Sequence, residues 1–246
     1  MFNEGQIIHH SRDKFGGILV IDYRKDRVLT FDSVFEQSKI DRRYPHLPVH
    51  EYNRAMLLPA AFKTPQHVTV LGLGAGVMVG AFLHLYPECQ VHAVELRQAV
   101  LDVAREYFDL PDSERLTITI GNARQALNDI PDASTDMILA DLYSAHRMSP
   151  LQTESQFVEN CSRALTPDGW LVSNYHRKPD INGPYFQQLR QHFADLFVFK
   201  SRTNNTIVYA SKRPFELIHP KDPKLAPLEK RLPISWSELL RRVNRL

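Results

Sequence analysis

In this 246-residue chain the residues best suited to chemistry cluster in the middle: Gly72, Gly74, Gly76, Glu95, Asn122, Ala123 and Asp141. The three glycines form G-x-G-x-G directly after the apolar run Val68, Val70, Leu71. Glycine has no Cβ, so the backbone there can approach a bound group closely, and a helix starting at that point turns unpaired N–H groups toward it. Glu95 follows Gly76 by 19 residues, at the expected carboxyl end of a second strand, where a carboxylate can accept two hydrogen bonds from ribose hydroxyls. In Gly121-Asn122-Ala123, the Asn122 side chain and the Ala123 backbone N–H are placed to read an adenine edge. Asp141 closes the apolar strand of MILAD and is followed by a loop, Leu142, Tyr143 and Ser144; a carboxylate there can act as a general base, or serve only as a cap or turn residue. Tyr143 and Tyr175 either line a pocket at the strand ends or pack as core and rim.

The glycine spacing narrows the ligand. A nicotinamide fingerprint counted from Gly72 and Gly74 would need its third glycine where Val77 stands. G-x-G-x-G suits a single nucleoside bound across an open α/β sheet, as in proteins that bind S-adenosylmethionine; the plainer reading is a tight strand–helix turn with no ligand. His146, His176 and His192 do not fall at metal-ligand spacing, and there is no H-E-x-x-H, G-x-S-x-G or P-loop, so no metal is expected.

These residues need a scaffold. From His67 onward apolar strands alternate with helical segments, which predicts a mostly parallel sheet covered on both faces. Strands are expected to start near His67, Gln90, Leu116, Met137, Trp170, Leu196 and Thr206, with helices at about Met78–Leu85, Ala99–Phe108, Ala123–Leu127, Ser155–Leu165 and Pro184–His192. Only Ser201 to Asn205 separate the last two strands, which permits a hairpin but no crossover helix. The expected fold class is therefore α/β: a seven-stranded Rossmann-like methyltransferase fold with an antiparallel last strand.

Ahead of it, residues 16–41 predict three short antiparallel strands with turns at Arg24-Lys25-Asp26 and Asp32-Ser33, then a proline-interrupted loop over 42–48 and a helix from His50 to Ala61. Five prolines between Pro214 and Pro233 predict an extended strap. A final helix over Ser235–Leu246 is expected, with a Ser235–Glu238 capping box, a stripe of Trp236, Leu239, Leu240 and Val243 facing its own domain or a dimer mate, and Arg241, Arg242 and Arg245 complementing the helix dipole. The expected division is 1–61, an N-terminal β-rich domain with a connecting helix; 62–213, the nucleoside-binding domain; and 214–246, strap and terminal helix.

A formal charge of +2, with 24% charged and 43% hydrophobic residues, gives no reason to expect nucleic acid or membrane as a partner. Cys89 and Cys161 stand alone, so reduced thiols are expected. Met1 to Ser11 has no signal pattern and no apolar run nears 18 residues, so a cytoplasmic protein is the expectation, with a homodimer as one use of the terminal stripe.

Over residues 16–211 the order of features resembles the spermidine synthase family of polyamine aminopropyltransferases. GLGAG, VEL, GNA and DLYSA are similar to the family's glycine motif, its acid after the second strand, its G-D-[AG] and its D-x-x-D-P. The resemblance implies that Gly72, Gly74, Gly76, Glu95, Asn122 and Ala123 contact the nucleoside of S-adenosylmethionine or its decarboxylated form. It also implies that Asp141 is the base for a small-molecule amine acceptor. The chain departs from the family at Ala75, Asn122, Ser144 and Ala145, where the family has acids and a proline. Three readings follow: aminopropyl-type transfer, methyl transfer, or adenosyl-ligand binding without catalysis.

Overall fold

In the computed structural model, residues 5–32, 36–143, 148–176 and 179–246 are described. Ser33, Ser144, Ala145 and His146, named above, lie outside the described residues.

Five antiparallel strands open the chain: β1 (Gln6–Asp13), β2 (Gly16–Tyr23), β3 (Asp26–Phe31), β4 (Glu36–Asp41) and β5 (Tyr44–Pro48), in sheet order 1-2-3-4-5. Two more strands form than the sequence predicts. The segment expected to be a proline-interrupted loop is β5, which tolerates Pro45 and Pro48 because it is an edge strand with a free side. The helix expected over His50–Ala61 splits at Leu57 into α1 (Glu51–Met56) and a 3₁₀ turn (Leu58–Ala61), the break falling where Pro59 removes a backbone donor.

The second sheet contains β6 (His67–Leu71), β7 (Gln90–Glu95), β8 (Leu116–Ile120), β9 (Thr135–Ala140), β10 (Leu165–Tyr175), β11 (Asp195–Lys200) and β12 (Thr206–Ser211). Between them lie α2 (Val77–Leu85), α3 (Gln98–Tyr107), α4 (Ala123–Asp129), α5 (Ser155–Ala164) and α6 (Pro184–His192). Their order is β11-β12-β10-β9-β6-β7-β8, parallel except where β12 runs against both β10 and β11, as the short connection requires. This is the expected Rossmann-like sheet with one addition at its edge.

That addition comes from the tail. Helix α8 ends at Leu240 (Trp236–Leu240), and Val243–Arg245 forms β13, pairing antiparallel with β11 as an eighth strand. The capping box does not form: Ser235 is left-handed at φ 63° with no side-chain cap bond, and Glu229, not Glu238, accepts from the Ser235 N–H and also from that of Trp236. Arg242 and Arg245 leave the helix dipole for Glu51 and Asp195. The strap is not wholly extended either; α7 (Leu225–Arg231) forms because Pro227 sits in its first turn, where no helical N–H is needed.

Two contacts seat the first sheet on the second. Ile18, Val20, Leu29, Phe31 and Ile40 pack with Ala75, Val77, Val100, Val103 and Phe108, so the apolar face of β2–β4 covers the glycine turn and α3. Arg97, just before α3, grips both Asp13 carboxylate oxygens at 2.9 and 3.0 Å and the Gly16 carbonyl at 2.9 Å, with its guanidinium 4.7 Å from the centre of the Phe31 ring. Arg97 is 7% exposed, so removing one partner would strand a buried charge. Cys89 and Cys161 are buried free thiols, and burial pushes the Cys89 thiol up to about 12. Among the described residues no helix is long and apolar enough to cross a membrane.

Candidate functional site

Strand order reverses between β6 and β9: from β6 the chain steps outward to β7 and β8, then returns to place β9 on the other flank. Ligands of open α/β sheets bind in the crevice outside the carboxyl ends of the strands at such a switch point. Gly72 follows β6 there and Asp141 follows β9. The Asp141 N–H donates to the Leu71 carbonyl at 2.9 Å, fixing the two strand ends together.

The glycine turn is built as its spacing predicts. Gly72, Gly74 and Gly76 have φ of 94°, 53° and 77°, the left-handed region that L side chains avoid. A Cβ at Gly72 would lie 2.4 Å from the Asp141 carbonyl oxygen, and one at Gly76 would lie 2.4 Å from Leu110 Cδ1. Gly76 leads into α2, whose first N–H groups have no intrahelical acceptor. Ala75 is 2% exposed within the core shared with β2–β4, so no ionic group stands inside the glycine motif.

Glu95 ends β7 with its carboxylate turned toward this turn. Its Oε2 accepts from the Leu73 N–H at 3.1 Å and its Oε1 from the Arg97 N–H at 2.9 Å. Burial raises its pKa, and those backbone donors act the other way. The Gly74 and Leu96 N–H groups also bear on this carboxylate, so it ties the turn to the β7–α3 loop through four backbone donors. Beside it, Leu96 and Ile120 expose 46% and 39% of their surfaces, and Ile120 pairs with Glu95 in register. Neither was singled out from the sequence, although an apolar residue right after the acid was the available signal. Asn122 caps α4, its Oδ1 accepting from the Arg124 N–H at 2.9 Å, with the Ala123 N–H in the first turn beyond it.

Asp141 has surroundings that no local motif announces. Its Oδ1 accepts from Asn174 Nδ2 at 2.8 Å, and Asn174, on β10, accepts in turn from Asn205 Nδ2 at 3.0 Å. Burial pushes the Asp141 carboxyl up to about 6, against the lowering effect of the Asn174 donor. The Tyr52 and Tyr143 phenols lie near enough to feel the Asp141 charge, and burial raises the pKa of both. Tyr143 donates to the Asn174 carbonyl at 3.1 Å, which uses its proton structurally. Gln152, fully buried, donates to that same carbonyl at 3.0 Å and accepts from the Leu142 N–H at 2.6 Å. Tyr175 is core, 1% exposed and bonded to Tyr185, and takes no part. His192 is at the far end of α6, its carbonyl taken by Ser162, and no cluster of His, Cys, Asp or Glu among the described residues could hold a metal ion.

The two sheets together define a Rossmann-like, methyltransferase-type fold with a small antiparallel sheet in front. The family model "spermine/spermidine synthase domain" matches residues 46–213, and the chain belongs to that family. A polyamine aminopropyltransferase of Neisseria meningitidis is 30% identical over 152 residues, covering 61% of this chain and 57% of that protein; the match thus spans little over half of the relative's length. The fold is shared with a probable spermidine synthase from Corynebacterium glutamicum (TM-score 0.78, 22% identity, 92% of this chain and 87% of that one). It is shared also with human methyltransferase-like protein 13 in complex with SAH (TM-score 0.62, 22% identity, 78% and 93%).

Proposed function

We propose that the chain is a transferase that moves an alkyl group from an adenosyl sulfonium donor, decarboxylated S-adenosylmethionine or S-adenosylmethionine itself, to a small-molecule amine. The observation that carries this reading is Asp141: a carboxylate with a pKa raised to about 6 by burial, abutting the glycine turn at the switch point. The residues present fit a nucleoside. Gly72, Gly74 and Gly76 give backbone access, Glu95 holds a carboxylate at the end of β7 for ribose hydroxyls, Leu96 and Ile120 offer apolar surface to a purine, and Asn122 with the Ala123 N–H reads its edge.

In this reading Asp141 holds the acceptor amine and removes its proton as the nitrogen bonds to the carbon on sulfur; the carbon–sulfur pair leaves with sulfur, giving a neutral thioether. A base of pKa near 6 is ionised at neutral pH and still able to take a proton. Tyr52 and Tyr143 flank that carboxylate without charge of their own, and Tyr143 is placed to line the acceptor's path.

One observation favours a second reading, methyl transfer. With Ala75 buried in apolar core, nothing inside the glycine motif holds a donor's ammonium or repels its carboxylate. The two readings separate by mass spectrometry of products after incubating the protein with each donor and a pool of amines. An aminopropyl adduct from the decarboxylated donor supports the family-type activity; a methylated amine from S-adenosylmethionine supports the second reading. Donor binding with neither product would leave only ligand binding.

A further inference from the structure

We propose that Asn205, acting through Asn174, is a positioning residue that fixes the orientation and protonation of the Asp141 carboxyl. The inference rests on reading Asp141 as the base. Asn174 is 2% exposed, so its carboxamide must find its partners inside the protein. A carboxamide has one accepting end and one donating end. Asn205 presents an NH₂, which can only donate, 3.0 Å from Asn174 Oδ1; that claims the accepting end and leaves the Asn174 NH₂ for Asp141 Oδ1 at 2.8 Å. Without Asn205 the accepting end of Asn174 loses its donor, and the carboxamide is free to turn out of line with the carboxylate.

Both ends of this chain are held. The Asn174 carbonyl receives Gln152 and Tyr143, while Gln152 Oε1 takes the N–H of Leu142, the residue after Asp141. Asn205 belongs to the β11–β12 turn, where its N–H donates to Ser201 Oγ at 3.0 Å and its carbonyl accepts from the Ser201 N–H at 2.8 Å. The turn is tied to α1, since the Arg202 N–H donates to Glu51 at 2.7 Å. A hydrogen-bonded path therefore runs from a surface turn to the base.

No other described donor competes for the role. Facing Asp141 are Tyr52 from α1 and Tyr143 from its own loop, both phenols with raised pKa, and the apolar end of β6 with Gly72. Glu36, beyond Tyr52, is paired with Lys39 at 2.8 Å. Asn174 is the one side-chain donor that offsets the burial of Asp141, and Asn205 decides which way it points.

The test is direct titration of Asp141 by carbon NMR on protein carrying ¹³C-labelled aspartate carboxyls, assigned by loss of its signal in Asp141→Asn. Asn205→Ala, at a partly exposed position, should raise the Asp141 midpoint by about half a unit to one unit, a three- to tenfold gain in proton affinity. Asn205→Gln, which retains the NH₂ donor, should recover part of that shift, and Asn174→Ala, if it folds, should match or exceed it. A midpoint in Asn205→Ala equal to wild type, in protein of unchanged melting temperature, overturns the relay. The titration needs no acceptor, so a moved midpoint upholds the relay even if no amine is ever alkylated, an outcome that would count only against the transferase reading. Where transfer is seen, the acid limb of kcat/KM should move with the midpoint.

Discussion

The main-chain carbonyl of Asp141 occupies the space that a side chain at Gly72 would need, 2.4 Å from where its Cβ would be. Glycine at position 72 thus sets how near the two strand ends come, and so how near Asp141 lies to the glycine turn. Gly72→Ala adds a clash with backbone to a residue at φ 94°, which alone costs roughly 1–2 kcal/mol. A melting temperature lower by at least about 4 °C is expected, together with weaker adenosyl-ligand binding, read by thermal shift with and without methylthioadenosine. An alanine variant that melts and binds like the parent would show that the strand ends separate freely.

Glu95→Gln tests the ribose contact with less disturbance than alanine: its one carboxamide oxygen can still accept from Leu73 or from Arg97, where alanine leaves both N–H groups without an acceptor. Two hydrogen bonds to a charged group contribute roughly 1.5–3 kcal/mol each, and losing the charge should weaken methylthioadenosine binding tenfold or more by calorimetry. Equal affinity would move the ribose away from Glu95.

Asp141 should cost the fold stability above acid pH. Its carboxyl has a folded pKa near 6 against an ordinary 3.8, so the native state holds the proton more tightly and stability falls as pH rises from about 4 to 6. Fully ionised, the group costs at most about 3 kcal/mol, less what partial solvent access returns. Asp141→Asn should therefore melt above the parent at pH 8, with the difference shrinking toward pH 4. A variant less stable at pH 8 would place the carboxylate in a favourable setting instead.

The sheet and its glycine turn were legible because each depends on local signals: apolar runs with the character of doubly buried strands, glycines spaced for a tight strand–helix turn, and a five-residue connection that permits a hairpin but no crossover helix. Asp141 was legible for the same reason, as the polar stop to an apolar strand. Asn174 and Asn205 were not, since they reach Asp141 from 33 and 64 residues away in sequence and only strand order brings β10 and the β11–β12 turn beside β9. Leu96 was passed over because an exposed leucine is ordinary until its neighbours are known. The tail misled because Trp236, Leu239, Leu240 and Val243 have helical spacing, yet β11 offered an open edge and Asp195 a partner for Arg245, and the last residues pair there.

That tail is structural. Trp236 is fully buried with Nε1–H donating to the Leu232 carbonyl at 2.9 Å, and Arg242 joins Glu51 at 2.5 Å across the molecule. Trp236→Ala should cost about 3–5 kcal/mol in urea unfolding. Deleting 235–246 should lower the melting temperature further by uncovering β11. If the deletion melted and sedimented like the parent, the packing described for α8 and β13 would be wrong.

The central claim, that Asp141 is the base of an alkyl transfer, is tested most directly by paired measurements on wild type and Asp141→Asn: donor dissociation constant and rate of amine alkylation across pH. The account predicts a donor affinity within about threefold in the variant and a rate lower by roughly 10²–10⁴-fold. It also predicts that the wild-type rate falls as pH drops through about 6, because protonation there removes the base. Transfer by Asp141→Asn at the wild-type rate would contradict it.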